Sequence, residues 1–184
     1  ELYALRKNYL ITYYKNFEND LHNLFEKTLE KFYKNLEIGI RPLLKILLEA
    51  LCIIDNKFAN HIAEEFYSSK IMEIKIMGLI ACIKYNHSRS EKLLENFYNE
   101  FQNDKIVLEK WFQIKSSYNN TYFDGINSVK AILKDKNFEY KNPNFVRAII
   151  GSFQNNNIEL FHARDNSGYK FVANQIITID KINP

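Results

Sequence analysis

The stretch Leu21-His22-Asn23-Leu24-Phe25-Glu26-Lys27-Thr28-Leu29-Glu30-Lys31-Phe32-Tyr33-Lys34-Asn35-Leu36 is followed by Glu37-Ile38-Gly39-Ile40-Arg41-Pro42 and then by Leu43-Leu44-Lys45-Ile46-Leu47-Leu48-Glu49-Ala50-Leu51. In the first segment Leu21, Leu24, Phe25, Leu29, Phe32 and Leu36 fall on one face at helical spacing, with charged residues between them. Gly39 stands where a helix C-cap is expected, and Pro42 where the first turn of the next helix tolerates a residue without an N–H. Leu43, Leu44, Leu47, Leu48 and Leu51 then carry a second helix toward Asp55-Asn56. Two amphipathic helices joined by so short a connection read as a helical hairpin.

The same punctuation continues outward. A short helix is expected around Ala59 to Tyr67, and Ile74, Met77, Gly78, Ala81 and Cys82 make a stripe whose small residues permit close helix contact. Ser88-Arg89-Ser90-Glu91 fits a capping box ahead of the stripe Leu94, Phe97, Tyr98 and Phe101. Asn103-Asp104 restarts the chain into the helix of Val107, Leu108, Trp111 and Phe112. After Tyr118-Asn119-Asn120 a further helix holds Phe123, Ile126, Val129, Ile132 and Leu133, and Asn142-Pro143 caps another. Asp165-Asn166-Ser167-Gly168 is a turn, stapled by Phe161 and Tyr169, that launches a final helix with Phe171, Val172, Ile176 and Ile179.

Composition agrees with an all-α chain. Five glycines and three prolines in 184 residues are too few for the turns of a β-rich fold, while 46% hydrophobic and 15% aromatic residues exclude disorder. Helices of ten to twenty residues joined by short loops fit a right-handed superhelix of stacked helical hairpins, an armadillo- or HEAT-like solenoid. No fixed repeat period marks a tetratricopeptide or ankyrin array. Residues 1–184 read as one helical domain. The helical character of Glu1-Leu2-Tyr3-Ala4-Leu5-Arg6, the missing initiator methionine and the lack of a signal-peptide pattern point to an excised piece of a larger protein.

With 25 basic and 22 acidic side chains, the net charge of +3 is too balanced to make a polyanion the leading partner. No apolar run approaches the roughly 20 residues that cross a bilayer. Cys52 and Cys82 lie in apolar helical segments without a Cys-x-x-Cys neighbour, which reads as two buried, reduced thiols of a cytoplasmic protein, a disulfide between them being the alternative.

A zinc peptidase needs two imidazoles one helical turn apart and a carboxylate to activate the bound water. The four histidines are His22, His61, His87 and His162, and none belongs to a His-Glu-x-x-His motif. His61-Ile62-Ala63-Glu64-Glu65 comes nearest, with glutamate where the inverted motif has its second histidine, and reads as a solvated helix face. There is no Gly-x-Ser-x-Gly elbow and no phosphate-binding glycine loop. No catalytic residue and no metal ligand set are therefore assigned, and the segment by itself is expected to bind no metal and to be inactive. Arg147 differs from the other cations. It sits amid Phe145, Val146, Ala148, Ile149, Ile150 and Phe153, so its guanidinium must leave the packed face or find an acceptor. His162 is expected to be a structural hydrogen-bonding imidazole.

Val107-Leu108-Glu109-Lys110-Trp111-Phe112, Lys141-Asn142-Pro143-Asn144-Phe145-Val146-Arg147 and Phe161-His162-Ala163-Arg164-Asp165-Asn166-Ser167-Gly168-Tyr169-Lys170-Phe171, ending in Asp180-Lys181-Ile182-Asn183-Pro184, succeed one another in a characteristic order and spacing. Together they resemble the helical C-terminal domain of the bacterial-type alanyl aminopeptidases, the zinc enzymes of the aminopeptidase N family. The match is close from about Leu93 to Pro184 and rests only on helical pattern before that. The resemblance implies an α-helical superhelix that arches over a catalytic domain and encloses the chamber through which peptides reach the zinc. It places the zinc ligands, the catalytic glutamate and the amine-gripping motif outside this segment, so that zinc belongs to the parent enzyme. The partners it implies are the catalytic and other domains of the same polypeptide and peptide substrates, with no nucleic acid and no membrane. One ligand contact is carried over: Arg147 faces the chamber and helps receive the carboxyl-side portion of the peptide. The family continues with further helices beyond Asn183-Pro184, which would leave the last helix here partly uncovered. Phe145 replaces a residue often basic in relatives, Lys115 stands where glutamine is usual, and Asn166 replaces a turn glycine. The alternative is a free-standing HEAT-like scaffold that binds protein or RNA on a concave face.

Overall fold

A computed structural model describes residues 2–35, 38–85, 89–118 and 125–182. Among these residues every regular element is helical and there is no strand. Glu1–Ser90 and Glu91–Pro184 form two compact units, each with its own core.

In the first unit, α1 (Leu2–Lys15) leads into α2 (Glu18–Asn35). Phe25, Thr28 and Phe32 are the buried positions of α2, spaced by three and four as one helix face requires. Thr28 keeps its hydroxyl satisfied by donating to the Leu24 carbonyl at 2.6 Å, whereas Leu24 itself is exposed. A 3-10 turn, Ile38–Ile40, enters α3 (Arg41–Ile54). Gly39 lies inside that turn rather than serving as a left-handed C-cap, because Ile40 is already right-handed helical at φ −81° and ψ −21° and runs directly into α3. Leu36, which the sequence places on the apolar face of α2, lies outside the described residues. Pro42 occupies the first turn of α3, as expected.

The hairpin packs Leu44, Leu47, Leu48, Leu51 and Cys52 of α3 into the core. Asp55 breaks the helix in an extended conformation and caps α4 (Asn56–Tyr67), its Oδ1 accepting from the Lys57 and Phe58 amides at 2.8 and 3.0 Å. This cap makes the helix begin earlier than the apolar pattern indicated. The partner helix α5 (Met72–Lys84) crosses α4 at Gly78, where an added Cβ would stand 2.5 Å from the Tyr67 backbone nitrogen and 2.8 Å from the Ala63 carbonyl oxygen. Absence of a side chain is what lets the two backbones approach. Arg41 of α3 reaches α5 by an ion pair of 2.8 Å with Glu73.

The second unit opens with α6 (Ser90–Phe101); Ser88 of the expected capping box and His87 lie outside the described residues. Asp104 caps α7 (Lys105–Tyr118) by accepting from the Ile106 and Val107 amides at 3.0 and 3.2 Å. Helix α8 is Ile126–Ile132, preceded by Gly125 at φ 46°, and Phe123 lies outside the described residues. There follow α9 (Pro143–Val146), a π-helical turn Arg147–Gly151, α10 (Ser152–Asn156), α11 (Ile158–Phe161) and α12 (Ser167–Asp180). The core of this unit is aromatic: Phe112 meets Phe145 edge-on at 5.2 Å, and Phe153 meets Phe171 edge-on at 5.4 Å.

Candidate functional site

Arg147 begins the π-helical turn, and the local sequence accounts for its position. Asn142 caps the helix by accepting from the Asn144 amide at 3.0 Å, and Pro143 presets the first helical residue. Phe145, Ile149 and Phe153 recur every fourth residue and are buried, which holds this face against α7. Ala148 and Ile150 are buried beside Ile149, and widening to a π turn keeps those three consecutive residues inside. Arg147 is left on the outer side. Its side chain is exposed, and among the described residues no carboxylate forms an ion pair with it. Of the two fates open to this guanidinium from sequence, leaving the packed face is the one observed. Phe145, the substitution for a basic residue, is a core residue only 3% exposed.

A polar cluster is built on Trp111 and Lys115 of α7. The Lys115 ammonium lies 4.5 Å from the centre of the Trp111 ring, and the Trp111 indole donates to the Leu94 carbonyl at 3.0 Å. Tyr98 packs on Trp111 at 4.6 Å, donates to Asp135 Oδ1 at 3.0 Å and accepts from the Asn137 amide nitrogen at 2.9 Å. Burial pushes the Lys115 pKa down, against the opposing pull of Asp135. Burial, and then the bond to Asp135, push the Tyr98 hydroxyl up. The four-residue spacing of Trp111 and Lys115 was legible in the sequence; the joining of Tyr98 to Asp135 and Asn137 was not.

The corner before α12 is built as expected. Asn166 takes the left-handed conformation at φ 59°, Asp165 accepts from the Ser167 amide at 2.9 Å, and Phe161 meets Tyr169 at 4.9 Å. That backbone bond is the first cause of the lowered Asp165 pKa. His162 Nδ1 sits within hydrogen-bond distance of the Tyr169 hydroxyl, a structural imidazole. Further along α12, Ile176 and Ile177 are exposed.

The remaining described histidines belong to the first unit. His61 is a surface residue 3.8 Å from Glu65, four residues along the same helix, in line with a solvated face. His22 was not singled out by the sequence. It stands one turn after Glu18 on α2, and the fold brings Asp55 to the same place, so that one ligand atom from each lies within 4.8 Å of the others. Among the described residues that group holds one imidazole and not the two that a peptidase zinc site requires, so the described residues do not fit a catalytic zinc. The first unit also holds a pocket of about 260 Å³ whose lining includes Arg6, Lys7 and Lys84 as well as Leu10, Ala50 and Ile53. Lys84 there pairs with Glu49 at 3.2 Å. No described helix is long and apolar enough to cross a membrane.

Comparison with known proteins gives this geometry a family. Residues 1–184 match the family described as "Domain of unknown function (DUF3458_C) ARM repeats". Aminopeptidase N of Caulobacter vibrioides is 33% identical over 119 residues, 65% of this chain and 14% of that protein. Aminopeptidase N of Haemophilus influenzae is 27% identical over 150 residues, 80% of this chain and 17% of that protein. The Escherichia coli aminopeptidase N is 24% identical over 123 residues, 67% of this chain and 14% of that protein. The chain thus spans less than a fifth of the length of these relatives. The crystal structure of Legionella pneumophila aminopeptidase A in complex with aspartic acid superposes with a TM-score of 0.81 at 26% identity, covering 97% of this chain and 22% of that one. The all-α class and the armadillo-like stacking read from the helical pattern are those of this family. The chain belongs to the DUF3458_C ARM-repeat family, the C-terminal helical domain of aminopeptidase N-type enzymes.

Proposed function

We propose that this chain encloses the substrate chamber of a zinc aminopeptidase and helps receive the peptide, while taking no catalytic step itself. The zinc, when bound in the parent enzyme, supplies the activated water, and its ligands belong to the remainder of the polypeptide. The observation that carries the reading is Arg147, an exposed guanidinium fixed on a π turn among buried residues, without a carboxylate partner among the described residues. A peptide carboxylate, or the carbonyls of a peptide's carboxyl-side portion, would supply the acceptors it lacks through charge-assisted hydrogen bonds. The buried, free thiols of Cys52 and Cys82 support a cytoplasmic setting.

The test is kinetic and uses the full parent chain. Because the contact is remote from the scissile bond, Arg147→Ala is expected to raise KM for peptides about tenfold with kcat little changed, and to leave small chromogenic amides unaffected. Equal losses on both substrate types, together with a lowered melting temperature, would make Arg147 a structural residue and remove the chamber role.

A further inference from the structure

We propose that Glu18, His22 and Asp55 form a binding site for a divalent transition-metal cation of the borderline-soft class that includes zinc. This revises the expectation that the segment holds no metal. It is independent of the chamber reading.

Three features carry the proposal. The first is the donor set. One imidazole nitrogen and two carboxylate oxygens lie within 4.8 Å of one another. Ligands at 2.0–2.2 Å from a tetrahedral zinc ion stand about 3.3–3.6 Å apart, so closure asks the donor atoms to draw together by a shift of up to about 1.5 Å. Glu18, the longest of the three side chains, is suited to make it. An imidazole among the donors favours a transition metal over calcium or magnesium, which take oxygen alone.

The second is preorganisation. Asp55 is held by its capping bonds from Lys57 and Phe58, both made through Oδ1, which leaves Oδ2 for a cation. The His22 ring packs edge-on against Phe58 at 4.9 Å, and Phe58 in turn packs edge-on against buried Phe25 at 5.4 Å. Two of the three ligands are thus fixed before any ion arrives, which lowers the ordering entropy that binding must overcome.

The third is charge. Two carboxylates within 4.8 Å of one another can both be matched by a single divalent cation. Such an ion would tie the first turn of α2 to the start of α4, elements 33 residues apart in the case of His22 and Asp55.

Equilibrium dialysis of the full parent chain against zinc chloride, with zinc per chain measured by atomic absorption, compares the wild type with Glu18→Gln, His22→Phe and Asp55→Asn. Phenylalanine keeps a ring against Phe58, and asparagine keeps a capping oxygen, so neither change removes the local packing. The wild type is expected to take up one zinc more than each variant, or the same equivalent at least about tenfold more tightly, since even second-shell changes weaken metal sites by about 10- to 100-fold. Zinc held elsewhere in the parent is common to all four proteins and cancels. Exchange of the Lys57 and Phe58 amides supplies a second readout, expected to slow on adding zinc to the wild type and not to His22→Phe. Equal zinc content across the series at every concentration, with amide exchange indifferent to zinc, overturns the site.

Discussion

Cys52 and Cys82 illustrate how burial rather than residue type decides chemistry at a single position. They are 1% and 0% exposed, and burial raises both thiol pKa values to about 12 from 9.0, with smaller contributions from Cys82 on Cys52 and from Glu64 on Cys82. A thiol that stays protonated in the folded chain and ionises at lower pH when unfolded stabilises the fold below pH 9, and this contribution is lost as pH rises from 9 toward 12. Two outcomes are expected. Iodoacetamide at about pH 8 should leave both thiols unlabelled in the native chain and label both after denaturation in urea, because only the thiolate reacts. Rapid labelling of either cysteine in the native chain would show that its helix opens on the labelling timescale. Arg147 is the contrasting case, a charge set outside the core by three buried neighbours, Ala148, Ile149 and Ile150.

Helices α4 and α5 pack backbone to backbone, and Gly78 permits it. Alanine has the higher helix propensity by about 1 kcal/mol, so an uncrowded site would gain from the replacement. Here the new methyl group would press on the Tyr67 nitrogen and the Ala63 carbonyl of the facing backbone, neither of which can swing away as a side chain tip does. Crowding of this kind costs about 1–3 kcal/mol, and it decides the sign. Gly78→Ala is therefore expected to destabilise by up to about 2 kcal/mol net, read as a lower urea midpoint for the first unit. A midpoint equal to or above that of the wild type would mean that the two helices separate easily. Helix α1 presents the opposite situation. Leu5, Tyr9, Tyr13 and, just beyond its end, Phe17 stand exposed at four-residue spacing, with Tyr13 and Phe17 in ring contact at 5.4 Å. Nothing among the described residues shows what covers them.

For the whole molecule, the expected outcome turns on what the remainder of the parent polypeptide contains. The chain covers 14–17% of the aminopeptidase N enzymes it matches, and its described residues do not fit a catalytic zinc. Sequencing the parent gene is expected to find a His-Glu-x-x-His motif with a further glutamate on the next helix. A parent without that motif would favour a helical scaffold that binds protein or RNA, and the chamber role of Arg147 would go with it. The site proposed at Glu18, His22 and Asp55 would stand in either case, because its donors all lie within the first unit.

Helical class, most hairpin boundaries and the corner at Asn166 were legible in the sequence because they depend on neighbours three or four residues away: apolar spacing, a capping oxygen, a proline that needs no N–H, a residue that tolerates positive φ. Asn142, Asp104 and Asp165 act on amides two or three residues ahead, so their roles could be read from the chain alone. Gly39 was misread because the C-cap pattern competes with a 3-10 turn, and the choice depends on how α3 begins. The π turn at Arg147 has no local signature; it arises from burying Ala148, Ile149 and Ile150 together against α7. Tyr98 with Asp135, and His22 with Asp55, are joined by contacts across 37 and 33 residues. Periodicity reports which face of a helix is buried but not which residue of another helix will meet it, and that pairing is decided only when the helices pack.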